Sequence, residues 1–146
     1  MNEIWLDEDE QRTWRAFIQM HAQLLAVLAQ GLKTDSDMSI SDYEVLVILT
    51  EAPDGTLRAR DLRCRLQWEK SRLAHHIRRM EQRGYVRRDT CTEDLRAPIV
   101  SITELGRNTI QVAAPAHVTQ VRQLFFNALT RPQQKALREA AETVLK

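Results

Sequence analysis

At 146 residues, 43% of them hydrophobic and 28% charged, the chain has the size and makeup of one globular domain, which excludes disorder as its default state. Four glycines, four prolines and 5% aromatic residues argue against a collagenous, low-complexity or turn-rich all-β chain. The formal charge of +1 hides an asymmetry: residues 1–57 sum to −8, residues 58–96 to +6 (twelve basic against six acidic) and residues 97–146 to +3. A basic block confined to one span attracts phosphate even when the whole chain is near neutral, although a solvated arginine-rich surface has the same composition.

The N-terminus, MNEIWLDEDEQR, is acidic and lacks the basic and apolar regions of a signal peptide. Asp7 and Glu10 form a D-x-x-E cap, and a long helix is predicted from Glu8 to Leu32. Trp14, Ile18, His21, Leu25, Leu28 and Leu32 recur at steps of four and three, the seam period of helix against helix, and Phe17 and Leu24 widen the stripe. Gly31 and the polar run 33–39 should end it. Ser41-Asp42-Tyr43-Glu44 reads as a capping box for a second helix, with Ile40 stapled to Val45 and Val45, Leu46, Ile48 and Leu49 inward. Pro53-Asp54-Gly55 is a turn.

A short helix, Arg60–Leu66, follows, then a break at Gln67-Trp68 and a helix Glu69–Arg83 closed by Gly84. Tyr85–Arg88 and Ala97–Ile102 read as two short strands joined by the polar stretch 89–96. Helix resumes at Thr103 to about Ala128, with Pro115 expected to kink it. Thr130-Arg131-Pro132-Gln133 caps a last helix running to Val144. The expected fold is therefore mainly α with a small β-wing. It is one domain over residues 1–146, in which 38–106 form a winged helix-turn-helix lobe and 7–34 and 104–146 supply dimerisation helices.

Function is concentrated in the helix after Trp68. At 100° per residue, Leu73, Ile77 and Met80 form one stripe, and Ser71, Arg72, His75, Arg78 and Arg79 form a neighbouring sector with no carboxylate. Lys70 and Ser71 open the helix, and His76 adjoins His75. Arginine pairs with guanine edges, while Ser and His bond to bases or phosphates, so the sector suits a DNA major groove.

Gly84-Tyr85-Val86-Arg87-Arg88, Asp94-Leu95-Arg96 and Ser101-Ile102-Thr103-Glu104-Leu105-Gly106, in that order and spacing, resemble the G-[LY]-V-x-R, D-x-R and LT-x-x-G signature of MarR-type transcriptional regulators. Trp68-Glu69-Lys70-Ser71-Arg72-Leu73 is similar to the start of the recognition helix in one branch. The resemblance spans essentially the whole chain. It implies a homodimer on a pseudo-palindromic operator, with intertwined terminal helices and one winged helix per half-site. It further implies that Asp94 braces Arg96 in a minor groove and that Arg87 and Arg88 stand at the wing base near phosphates. Leu95 departs from the often basic middle position of D-x-R, and Arg63 stands where the family usually has a small residue. Pro98, lacking an N–H, should lie on an unpaired strand edge.

The dimer agrees with the residues themselves. Trp14, Ile18 and Leu25 on the first helix, with Leu124, Phe125 and Phe126, would leave an isolated subunit with an apolar patch. Trp14, His21 and Tyr43 are large, partly polar side chains that either line an effector cleft or fill core. A small anionic aromatic compound is the natural trial effector, since Arg15 and the basic block lie near.

Other chemistries find less support. Cys64 and Cys91 make no disulfide scaffold, and Cys91 among Asp89, Glu93 and Asp94 is poorly placed for redox sensing. His21, His75, His76 and His117 lack metal-ligand clustering, so no metal or other cofactor is expected. No phosphate loop or nucleophile elbow suggests an enzyme. No apolar run approaches the ~20 residues that span a bilayer, and a cytoplasmic location is the simplest placement. A winged-helix protein–protein adaptor is the rival reading, separated from a DNA reader by how it tolerates neutralisation of Ser71–Arg79 and Arg96.

Overall fold

The computed structural model describes residues 4–90 and 98–146. The elements run α1 (Glu8–Ser36), α2 (Ile40–Glu51), β1 (Thr56–Arg58), α3 (Ala59–Leu66), α4 (Lys70–Gln82), β2 (Val86–Thr90), β3 (Pro98–Ile102), α5 (Glu104–Leu124) and α6 (Arg131–Leu145). The fold is mainly helical with a small antiparallel sheet, as the sequence predicts. The chain divides into two compact units, Met1–Gly31 with Ala116–Lys146, and Leu32–Pro115.

In the Leu32–Pro115 unit, the apolar faces of α2, α3 and α4 close on the sheet. Met38, Val45, Leu46, Leu49, Leu62, Ile77, Met80 and Val100 lose nearly all contact with solvent. The sheet has three strands, not two, in the order β1-β3-β2. The added strand, Thr56–Arg58, is too short for periodicity to reveal. It exists because β3 offers its free edge, pairing Leu57 with Val100 and placing Thr56 Oγ1 2.9 Å from Ser101 Oγ. β3 is thus central, and the expectation that Pro98 marks an unpaired edge strand is corrected. Pro98 opens β3 opposite Thr90, one residue beyond Ile99, the last partner of β1. A missing N–H is tolerated at that first position.

Two helix ends also differ from expectation. The capping box of α2 is Ser39 with Asp42, not Ser41 with Glu44: the Asp42 N–H donates to Ser39 Oγ at 3.0 Å, and the Ser39 N–H donates to an Asp42 carboxylate oxygen at 3.2 Å. Both boxes fit the sequence rule. Burial of Asp42 selects the earlier one, because a buried carboxylate must be satisfied. Helix α1 passes through Gly31 and ends at Ser36, where Asp37 adopts φ 48° and Lys33 pairs with its carboxylate at 2.7 Å. The Asp7–Glu10 cap and the Thr130–Gln133 box form as read.

Two glycines shape the join between α4, β2 and α5. Gly84 turns the chain at φ 86°. Gly106 lies so close to the backbone carbonyl of Tyr85 that a Cβ would collide with it. Thr103 seals the corner: its hydroxyl donates to the Gly84 carbonyl at 2.5 Å and accepts from the Gly106 N–H at 3.0 Å.

The Met1–Gly31 and Ala116–Lys146 unit leaves many of its apolar residues exposed, while Leu24, Leu25, Leu28, Val121 and Phe125 are half-buried. Trp14, Phe17, Ile18 and Val27 of α1 remain exposed, as do Val118, Leu124 and Phe126, and α6 buries no residue fully. Trp14 stacks with Phe17 at 5.9 Å between centroids and Phe17 with His21 at 6.3 Å, while Phe125 meets Phe126 edge-on at 5.1 Å. No helix among the described residues is long and apolar enough to cross a membrane.

Candidate nucleic-acid interface

Helix α3 stops because Gln67 takes the left-handed conformation, φ 60°, its N–H reaching back to the last carbonyls of α3. The chain reverses through Trp68, which is buried, and α4 begins. The two stripes read from the sequence are present. Leu73, Ile77 and Met80 are buried, while Lys70, Ser71, Arg72, His75, Arg78 and Arg79 are exposed. The first turn of α4 carries no acidic residue and opens with Lys70 and Arg72, and the Glu69 carboxylate at the N-cap makes no side-chain capping bond to the backbone N–H groups there. An anion such as a phosphate suits that end.

His76 does not join His75 on the exposed face, contrary to the expectation that both contact DNA. Its side chain is 14% exposed and turns toward α2, with Nε2 2.9 Å from Asp42 Oδ1. That is ion-pair distance, but the direction is not that of a linear hydrogen bond. The physical reason is angular: His76 stands one turn from Leu73 and from Met80 on the buried side of α4, where the Asp42 carboxylate lies within reach.

Asp42 is the hub beneath the helix. Burial pushes its carboxyl upward, but His76 and the Ser39 cap outweigh this and hold it below its ordinary value. Arg83 Nη1 approaches it at 3.4 Å, while Arg83 Nη2 donates to the Asp37 carbonyl at 2.9 Å and to the Tyr85 hydroxyl at 3.1 Å. The start of α2, the middle of α4 and the C-terminal end of α4 are therefore tied by one polar cluster. None of these supports was singled out in the sequence as such. The signals were present, in the Ser39–Asp42 spacing and in a tryptophan placed inside a turn.

The wing base is more neutralised than its composition suggests. Arg88 donates from its backbone N–H to Glu81 at 3.1 Å and from Nε at 3.3 Å, and Arg87 pairs with Asp89 at 3.0 Å. Asp94 and Arg96, the two wing-tip candidates, lie outside the described residues, as does Cys91. A cleft of about 380 Å³ opens between α3, α4 and the sheet, with Arg58, Arg60, Arg63, Lys70 and Arg88 around an apolar floor. Arg63 lines this cleft.

The three effector-cleft candidates fall in different units. Trp14 and His21 share the stacked row on α1. Tyr43 lines a cavity of about 270 Å³ with Val47, Arg107 and Ile110, and burial raises its hydroxyl above the ordinary value.

The MarR family profile matches residues 38–97, the span from Met38 through the wing. Over 97% of its length the chain superposes on 89% of Sco3205, a MarR family transcriptional regulator from Streptomyces coelicolor crystallised in complex with DNA, at 37% identity and a TM-score of 0.92. It likewise covers 95% of AbsC, a MarR family transcriptional regulator from the same organism, at 34% identity and a TM-score of 0.91. The HTH-type transcriptional regulator YfiV of Bacillus subtilis is 28% identical over 105 residues, which span 63% of that longer relative.

Proposed function

The chain belongs to the MarR family of transcriptional regulators, and from that premise we propose that it is a homodimeric, sequence-specific reader of double-stranded DNA that acts as a ligand-responsive repressor. The observation that carries the reading is the exposed, carboxylate-free sector Ser71, Arg72, His75, Arg78 and Arg79 on a helix anchored from behind by Leu73, Ile77 and Met80. Rigid anchoring matters because base readout needs donors held in register with groove edges. Lys70 at the helix start and Arg87 and Arg88 at the wing base suit phosphate contact, and Arg96, braced by Asp94, suits a minor groove.

The exposed Trp14, Ile18, Leu124 and Phe126 of the helical unit, with the half-buried Leu25 and Phe125 beside them in sequence, support association with a second copy. Two copies would set their recognition helices one helical turn apart, roughly 34 Å, on a pseudo-palindrome. A small anionic aromatic effector that binds one spacing better than another would release the DNA, and DNA would weaken its binding by the same factor. The Tyr43 cavity, with Arg107 at its wall, is a place for such a molecule within the lobe.

The deciding experiment is selection of bound duplexes from a random pool, followed by titration at several salt concentrations. A log–log slope of about −0.9 per neutralised phosphate is expected. A flat slope, or no enriched sequence, rejects the assignment. An adaptor would keep its partner when Arg72, Arg79 and Arg96 are replaced by alanine, whereas a DNA reader would lose its operator. Sedimentation of a stable monomer rejects the dimer. Titration of salicylate-like and urate-like compounds into the DNA complex, repeated with Trp14, His21 and Tyr43 singly replaced, tests the effector.

A further inference from the structure

We propose that Trp68 is a positioning residue for base reading: its indole face holds the Arg72 guanidinium on the groove-facing flank of α4, poised to donate to one base pair. The inference rests on α4 being the DNA-reading helix and deepens that reading.

Three observations carry it. First, Arg72 Cζ lies 4.1 Å from the centroid of the Trp68 ring, a close cation–π contact. Second, the ring itself cannot drift. Trp68 is only 9% exposed although it sits in a turn, and it meets the His76 ring edge-on at 5.3 Å and 84°. His76 is in turn held 2.9 Å from the buried Asp42. Trp68, Arg72 and His76 follow one another at intervals of four, so the array runs along one side of the helix, from a buried carboxylate to an exposed cation. Third, a cation–π contact occupies no hydrogen-bond acceptor and leaves the guanidinium donors to other partners. Arg83, Arg87 and Arg88 each spend donors on carboxylates or carbonyls. Arg72, among the described residues, is held by the ring without such a partner.

The physical consequence is preorganisation. A free arginine on a helix surface must give up much rotamer freedom to engage a base, and a planar guanidinium already stacked gives up less. Its five N–H donors remain available for the bidentate pairing that guanine presents in the major groove. A leucine at position 68 keeps the site apolar, at the cost of some volume, and leaves Arg72 unrestrained, so it separates the ring's hold on Arg72 from simple apolar burial.

The test compares the native protein with Arg72→Ala, Trp68→Leu, Trp68→Phe and Trp68→Tyr in selection from a random duplex pool, followed by titration of the enriched site and of an unrelated duplex. Arg72→Ala should lose preference at one base pair of each half-site, by about tenfold. Trp68→Leu should lose preference at that same base pair while binding the unrelated duplex about as native, and should add nothing in the Arg72→Ala background. If the leucine variant does not fold, discrimination should fall in the order Trp, Tyr, Phe, following the strength of each ring for a cation. Equal discrimination across the three rings, or an intact preference in Trp68→Leu, overturns the role of Trp68 while leaving the DNA-reading assignment standing. Failure of the native protein to enrich any sequence, or of Arg72→Ala to change any preference, overturns the reading of α4 and this proposal with it.

Discussion

Nε2 of His76, on the inner side of α4, stands 2.9 Å from Oδ1 of Asp42, near the start of α2, with both side chains largely withdrawn from solvent. The same carboxylate closes the Ser39 cap, so one group sets the start of α2 and steadies the middle of α4. Asp42→Ala should therefore cost about 2–4 kcal/mol, the loss of a cap added to a buried imidazole left without its partner. Urea denaturation at neutral pH measures it, and a loss below roughly 0.5 kcal/mol, within the range of ordinary surface changes, would make the contact dispensable.

The acid limb of stability should carry the signature of the same group. Folding holds the Asp42 carboxyl below its ordinary value of 3.8, because His76 and the Ser39 cap outweigh the opposing effect of burial. The unfolded chain thus takes up the proton first. The stabilisation is complete above the unfolded value and disappears as pH falls through the lower folded one. The advantage of the native protein over Asp42→Asn should be largest near neutrality and shrink below about pH 4. A constant gap in denaturation midpoints across that range would contradict the sign.

His117, on the Ala116–Lys146 side, should act at milder acidity. Burial pushes its imidazole below the ordinary value of 6.5, so the fold favours the neutral ring. Its contribution is complete above 6.5 and is lost as pH falls toward the depressed value. His117→Gln should remove part of the destabilisation that the native protein shows on acidification from pH 7.5 to 5.5, read by thermal melting at each pH.

Gly106→Ala should be among the more damaging single-methyl additions. The new Cβ would strike the backbone carbonyl of Tyr85 and approach Ile102 Cγ1, and backbone cannot swing aside as a flexible side chain can. Overpacking of this kind costs typically 1–3 kcal/mol. Circular dichroism melts should show the loss, and an unchanged melting point would mean that the α4–β2–α5 corner is looser than it stands.

Glu81→Gln tests the electrostatics of the wing base. Glu81 engages Arg88 through both the backbone N–H and Nε. Removing its charge should strengthen binding to unrelated duplex DNA and steepen the salt dependence by up to about one phosphate equivalent. Weaker binding would show that Glu81 serves to aim Arg88 at a phosphate and not to neutralise it.

Much of this protein was legible along the chain. The helical seam of α1, the caps at Asp7 and Thr130, and the two stripes of α4 are local patterns with a fixed period, and periodicity is visible without a partner. The order of helices, strands and turns along the chain is likewise readable from local signals. By contrast, β1 has three residues and no period of its own, and it exists only because β3 presents a free edge. That edge also made β3 central and reduced Pro98 to an opening residue.

The sequence by itself determined the outward sector Ser71, Arg72, His75, Arg78 and Arg79 of α4, because a helix of known period with one apolar stripe turns the opposite side to solvent. Only the tertiary structure decided what stands behind them. His76 and Arg72 are both polar and four positions apart, yet one turns in to a buried carboxylate and the other lies over an indole. Their partners, Asp42 on another helix and Trp68 in the preceding turn, come within reach only when α2, α3 and α4 have packed. A side chain's period is set by its own backbone, whereas its partner is set by where other segments are brought.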